Sequence, residues 1–242
     1  GVVKIAADNG LGTGAITFNG GELNVITSSI DSSKAASLAG AGTINVDSGL
    51  TYTISGNVTG TGGALTKSGS GTLALSGTNT YDQGTSINAG TLSVSNNSSV
   101  GSGALTFGGG NLKATANTAL TNTSVLSSSA SVDVDTGVSL TLSGVMSGTG
   151  ALTKTGDGTL ALAATNTYSG GTSMSGGTVK GVTFAIRSDE TQDAVMTAYC
   201  GGDVKEYPLT QNDLYRLQRQ VQENIISNIK RGRDVPPRGD DA

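Results

Sequence analysis

The sequence predicts an all-β fold, a parallel β-helix (solenoid) of short strands, followed by a small, mainly α-helical C-terminal segment. Three observations carry that reading. First, residues 63–94 (GALTKSGSGTLALSGTNTYDQGTSINAGTLSV) return at residues 150–181 as GALTKTGDGTLALAATNTYSGGTSMSGGTVKG, with 20 of 32 positions identical and no gap. A chain that repeats itself at a long, fixed interval is read first as a stack of repeats. Second, apolar and small polar residues alternate in runs of four to six, bounded by Gly, Asn, Asp and Ser, the signature of half-buried strands. Third, near residue 181 the composition changes, and Leu and Ile begin to fall at helical spacing.

Composition sets the kind of core. Aromatic residues make up 4% of the 242, Trp is absent, and Gly supplies 38 residues, so a wide aromatic core is excluded and a thin one of Leu, Val, Ile and Ala is expected. Charged residues are only 13%, too few for charge-driven disorder. The Gly, Ser and Thr follow a strict pattern, which a flexible linker does not. The net charge is −4, and no basic patch lies in the first 180 residues, which speaks against nucleic acid. With no His, any metal site or general base would draw on Asp, Glu, Lys, Tyr or Cys200. One Cys allows no intrachain disulfide. No apolar run reaches membrane-spanning length, so no membrane insertion is expected. No cofactor is expected either. The chain opens on Gly1-Val2-Val3 without a signal peptide, consistent with a removed leader or a piece of something longer.

Taken in order, the chain holds two modules, roughly 9–97 and 98–181. Residues 12–23 (GTGAITFNGGEL) return at 101–112 (GSGALTFGGGNL), and residues 46–56 return at 134–144. The interval shortens from 89 to 88 to 87, as loops between fixed units lose single residues. In Thr72-Leu73-Ala74-Leu75-Ser76 both Leu share a face, and Val138-Ser139-Leu140-Thr141-Leu142 alternates the same way. Gly56, Gly60, Gly62, Gly69, Gly71, Gly77, Gly84 and Gly90 mark the corners, where positive φ is expected. Strands this short cannot form a stable hairpin alone, but each can pair with its counterpart in the next coil. Four coils of about 22 residues per module, and about eight in all, are expected.

The repeated element resembles the passenger-associated transport repeat of bacterial autotransporters. Leu65, Leu73, Leu75, Asn79 and Tyr81 carry the first copy, and Leu152, Leu160, Leu162, Asn166 and Tyr168 the second. The resemblance covers about residues 1–181. It implies a right-handed parallel β-helix, export across a Gram-negative envelope and a secreted or cell-surface location. The C-terminal β-barrel of such proteins is absent here, and the residues after 181 do not resemble the usual junction to it.

In residues 182–233, Ser188 or Asp189 suits the start of a first helix, closed at Gly201-Gly202. Leu214, Leu217, Val221, Ile225 and Ile229 form the contact face of a second, amphipathic helix. This unit is expected to cap the open end of the solenoid or to dock on a neighbour. Residues 234–242 read as a flexible tail.

Candidate chemistry is sparse. Asp133 and Asp135 lie two apart on one strand face, with Asp47 as the module partner of Asp135 and Ile44 or Asn45 opposite Asp133. Paired carboxylates suit glycosidic chemistry, but Asp135-Thr136-Gly137 is also an ordinary turn. Residues 155–160 (TGDGTL) resemble one calcium-binding nonapeptide, yet lack copies nine residues apart, and Ser70 stands where Asp157 would recur. Asn79 and Asn166 suit capping of coil carbonyls or display for binding. Lys67 and Lys154 read as solubilising turn residues, and Cys200 as a half-buried helix-end thiol. Arg238-Gly239-Asp240 spells an integrin-type tripeptide. The Thr-rich outward face is a flat hydroxyl array, suited to carbohydrate or to another rod. The expected function is a non-catalytic extracellular stalk or adhesin scaffold, its partners a second copy, end to end or laterally, or the glycans or proteins of a host or neighbouring surface. The alternatives are a self-assembling filament or matrix subunit and, remotely, a glycan-cleaving enzyme.

Overall fold

The computed structural model describes residues 1–180. The expected helical unit at 182–233, with its contact face Leu214, Leu217, Val221, Ile225 and Ile229, lies outside the described residues, as do Cys200 and the tail with Arg238-Gly239-Asp240.

The described residues form an all-β parallel solenoid of about nine turns. Their only helical element is a 3-10 turn at Asp8–Leu11. Each turn visits three faces in a fixed order. The first face is an eight-stranded parallel sheet running from Val2–Ile5 to Met146–Gly148. The second is also eight-stranded, from Ile30–Ser32 to Thr172–Met174. The third is interrupted. It comprises three strands, Ile16–Phe18, Ala36–Leu38 and Val58–Thr59, and later four more, from Thr118–Leu120 to Thr178–Lys180.

Alternation decides what faces in. Along the first face the register stacks Leu23, Ile44, Lys67, Ile87, Phe107 and Leu126 in one interior column. Along the second it stacks Tyr52, Leu73, Leu92, Leu112, Val132 and Lys154. All of these side chains are fully buried. Burying one Leu contributes about 2 kcal/mol, and a narrow column accumulates that gain turn by turn. Leu75 and Val94 stack beside the second column. Leu140, Leu160 and Val179 line the third face.

The coil length differs from expectation. Successive strands are offset by 19 residues at the shortest (Leu105 to Ser124) and 23 at the longest (Gly42 to Leu65), with most near 20–22. A module of 87–89 residues is therefore not a whole number of turns. Leu65–Ser68 lies on the first face, and its repeat Leu152–Thr155 lies on the second. Thr72–Leu75 lies on the second face, and its repeat Thr159–Leu162 on the third. One module is four turns plus one face.

The corner glycines fall into two kinds. Gly60, Gly62, Gly69, Gly84 and Gly90 have positive φ, as expected. Gly56, Gly71 and Gly77 do not. They are needed for room: a Cβ on Gly77 would lie 2.4 Å from the Gly56 carbonyl oxygen of the turn below.

Candidate functional site

The two lysines set into the core are not the turn solubilisers that sequence reading suggests. Leu65-Thr66-Lys67 lies on one strand, so Lys67 points to the same side as Leu65. Its side chain is completely buried. Nζ donates to the carbonyls of Ser68 at 2.6 Å, Gly69 at 2.7 Å and Ala89 at 3.3 Å. Three N–H donors meet three carbonyls at a corner where the backbone leaves the sheet. Lys154 does the same with Thr155, Gly156 and Gly176 on the second face. Burial pushes the Lys67 ammonium down to about 8. It lowers Lys154 as well, against the pull of Asp133 and Asp157.

Asn79 bridges the gap in the third face. Its Oδ1 accepts from the Val58 N–H at 2.8 Å, and its Nδ2 donates to the Ser99 carbonyl at 2.6 Å. One amide thus continues the ladder where no strand forms. It is 4% exposed, so it caps rather than displays. Asn166 accepts from the Met146 N–H at 2.8 Å and is half-buried. The Tyr81 hydroxyl, wholly buried, pairs with Thr85 at 2.7 Å. Burial raises its pKa, against the Thr85 hydrogen bond. Tyr168 pairs with Thr172 in the same way. Leu65, Leu73, Leu75, Leu152, Leu160 and Leu162 are core residues, each at most 1% exposed.

Sequence reading missed the other corner side chains. Asn57, Asn97 and Asn117 accept from the backbone N–H of Thr78, Ala119 and Ser139 one turn on. Ser29 and Ser129 do so for Thr51 and Ala151. The signal was a polar residue one or two places before a strand, at an interval near 20.

The carboxylates are spoken for. Lys113 Nζ lies 2.6 Å from Asp135 Oδ1 and 3.0 Å from Asp133 Oδ2. Those hydrogen bonds raise the Lys113 pKa. Asp133 and Asp135 share one ammonium, and neither stands as a free base beside a cleft. The Asp157 carboxylate accepts from Thr136 Oγ1 at 3.4 Å, at a corner turned by Gly156.

What remains is surface. On the second face Thr51, Thr72, Thr91, Asn111, Ser131 and Thr153 form one outward column. On the first face Thr43, Thr66, Ser86 and Thr106 form another. Successive hydroxyls stand about 4.8 Å apart, the distance between paired strands. Phe18, Tyr52, Tyr81 and Phe107 all point inward, so these columns offer hydrogen bonds without exposed aromatic rings.

Two stretches, residues 65–94 and 152–180, match the family model of the passenger-associated transport repeat. The chain is also similar to the adhesin BmaC autotransporter of Brucella suis biovar 1 (strain 1330), with 36% identity over 170 residues. That overlap covers 69% of this chain and 5% of the relative, so the chain spans a small fraction of the relative's length. No solved structure matches.

Proposed function

We propose that the two passenger-associated transport repeats carried by this chain belong to the rod of an autotransporter passenger, and that this stretch works as a non-catalytic adhesin scaffold. The observation that carries the reading is the outward surface: unbroken columns of hydroxyls and amides on a stack whose interior is closed. A rigid stack of hydrogen-bonded turns holds those columns in fixed register, so a partner meets many weak contacts at once. The named relative is an adhesin, which supports the same assignment. The shared ammonium of Lys113 between Asp133 and Asp135 supports a non-catalytic role, since neither carboxylate is left to act as base.

On this reading the coil is right-handed, and the protein is secreted or held at the surface of a Gram-negative cell. Residues 182–233 serve as a helical cap or connector. The partners are glycans or proteins of a host or neighbouring surface, or a second copy of the chain. The test is light scattering and negative-stain imaging across micromolar concentration, followed by binding to glycan arrays and host cells. The expected result is a monodisperse particle that binds a surface, with binding weakened when Thr51, Thr72 and Thr91 are replaced together by Lys. Fibres at micromolar concentration would favour the assembling subunit instead. Cleavage of a glycan by the purified chain would overturn the scaffold.

A further inference from the structure

The two modules differ at one set of outward positions, and the difference strands oxygen atoms. In the second module Lys113 sits between Asp133 and Asp135. The same places in the first module hold Asn24, Asn45 and Asp47. The register pairs Lys113 with Asp133 and Asn24 with Asn45. The N–H of Asp135 donates to the Ala114 carbonyl as that of Asp47 donates to the Val25 carbonyl. One turn further on, Asp133 stacks on Thr155 and Asn45 on Ser68. The geometry is shared, but the ammonium is missing from the first module.

Asn24 Oδ1, Asn45 Oδ1 and Ser68 Oγ are all buried and have no hydrogen-bond partner. They stand on three successive strands of one column. Buried acceptors are almost always satisfied, so three orphans in a row point to something that satisfies them together. Their spacing says what. Paired strands lie about 4.8 Å apart, so an ion midway between equivalent oxygens is about 2.4 Å from each. Calcium takes oxygen ligands at about 2.3–2.6 Å, whereas magnesium demands about 2.0–2.1 Å. The donors are oxygens only, with the Asp47 carboxylate to supply charge.

We propose that Asn24, Asn45, Ser68 and Asp47 hold a hard cation of calcium's size, standing where the Lys113 ammonium stands in the second module. A single carboxylate places the affinity with weak extracellular calcium modules, a Kd of roughly 0.1–1 mM.

Thermal unfolding of the whole chain, followed by circular dichroism at fixed ionic strength, tests this, with calorimetric titration of calcium alongside. Calcium at 10 mM raises the wild-type Tm by roughly 3–8 °C, and magnesium does not. Asn24→Lys supplies an ammonium and abolishes the calcium response. Lys113→Asn frees two carboxylates in the second module and adds a second calcium equivalent. Asp47→Asn, which leaves the column intact, also loses the response and serves if Asn24→Lys does not fold. A wild type indifferent to calcium, an equal response to magnesium, or a response undiminished in both Asn24→Lys and Asp47→Asn would sink the proposal.

Discussion

Lys67 shows how a single residue can be legible and still be misread. The strand Leu65–Ser68 alternates, and alternation alone puts Lys67 inside with Leu65. Charge pulled the reading outward, because lysine is almost never fully buried unless it is paired. What sequence could not show is the corner that pairs it: the three carbonyls come from Ser68, Gly69 and, a turn later, Ala89. Burial holds this ammonium at about 8, against an ordinary value of 10.5. Below pH 8 it is protonated in both the folded and unfolded chain. Between 8 and 10.5 the unfolded chain holds the proton and the folded chain releases it, so stability rises with pH across that window. At pH 9.5 the gain is about 2 kcal/mol. Thermal melts from pH 7.5 to 9.5 will show Tm rising in the wild type and rising less in Lys67→Met. Above pH 10 the trend reverses, because burial raises the Tyr52 and Tyr81 phenols and favours their neutral form in the folded state. The exposed Lys113 is a contrast: Lys113→Ala will cost less than about 1 kcal/mol in urea titration, as for other half-exposed ion pairs.

At the scale of strands and corners, much of the fold was open to reading. Alternation located Thr72–Leu75 and Ser139–Leu142 because each needs only its own side chains to declare a face. Turn length was not legible, because it depends on which strands pair, and corner loops absorb the variation between 19 and 23 residues. Corner glycines were found but not sorted, since positive φ and close approach look alike in a sequence. Substitution separates them. Gly77→Ala forces a Cβ against the Gly56 carbonyl and will cost about 2 kcal/mol. Gly49→Ala, at φ 75° with open space around it, will cost about 1 kcal/mol. The bridging amide is a third case. Asn79→Ala removes both an acceptor and a donor from buried backbone groups and will cost about 3 kcal/mol. Asn79→Asp will not restore it, because a carboxylate cannot donate to Ser99. Asn166→Ala, half-buried, will cost about 1 kcal/mol. Urea unfolding of the four variants orders these losses.

For the described solenoid as a whole, the sequence announced two copies of one module, but not that the second is set one face on. That step follows from dividing about 87 residues by a turn of 20–22, and neither number alone reveals it. It also means that the same residues fold correctly on either of two faces: Leu65–Ser68 and Leu152–Thr155 make the same strand with the same buried lysine in different sheets. The faces are interchangeable hosts. Deleting residues 65–151, which joins the first copy to the second at matching positions, will therefore give a chain that still unfolds cooperatively, with a circular dichroism spectrum of the same shape. A gene that gains or loses such a copy by unequal crossing-over keeps an unbroken core, while every outward side chain beyond the junction turns to a new side. Copy number can thus vary from one lineage to another without damage to folding, and each change re-aims the surface that a partner or an antibody meets.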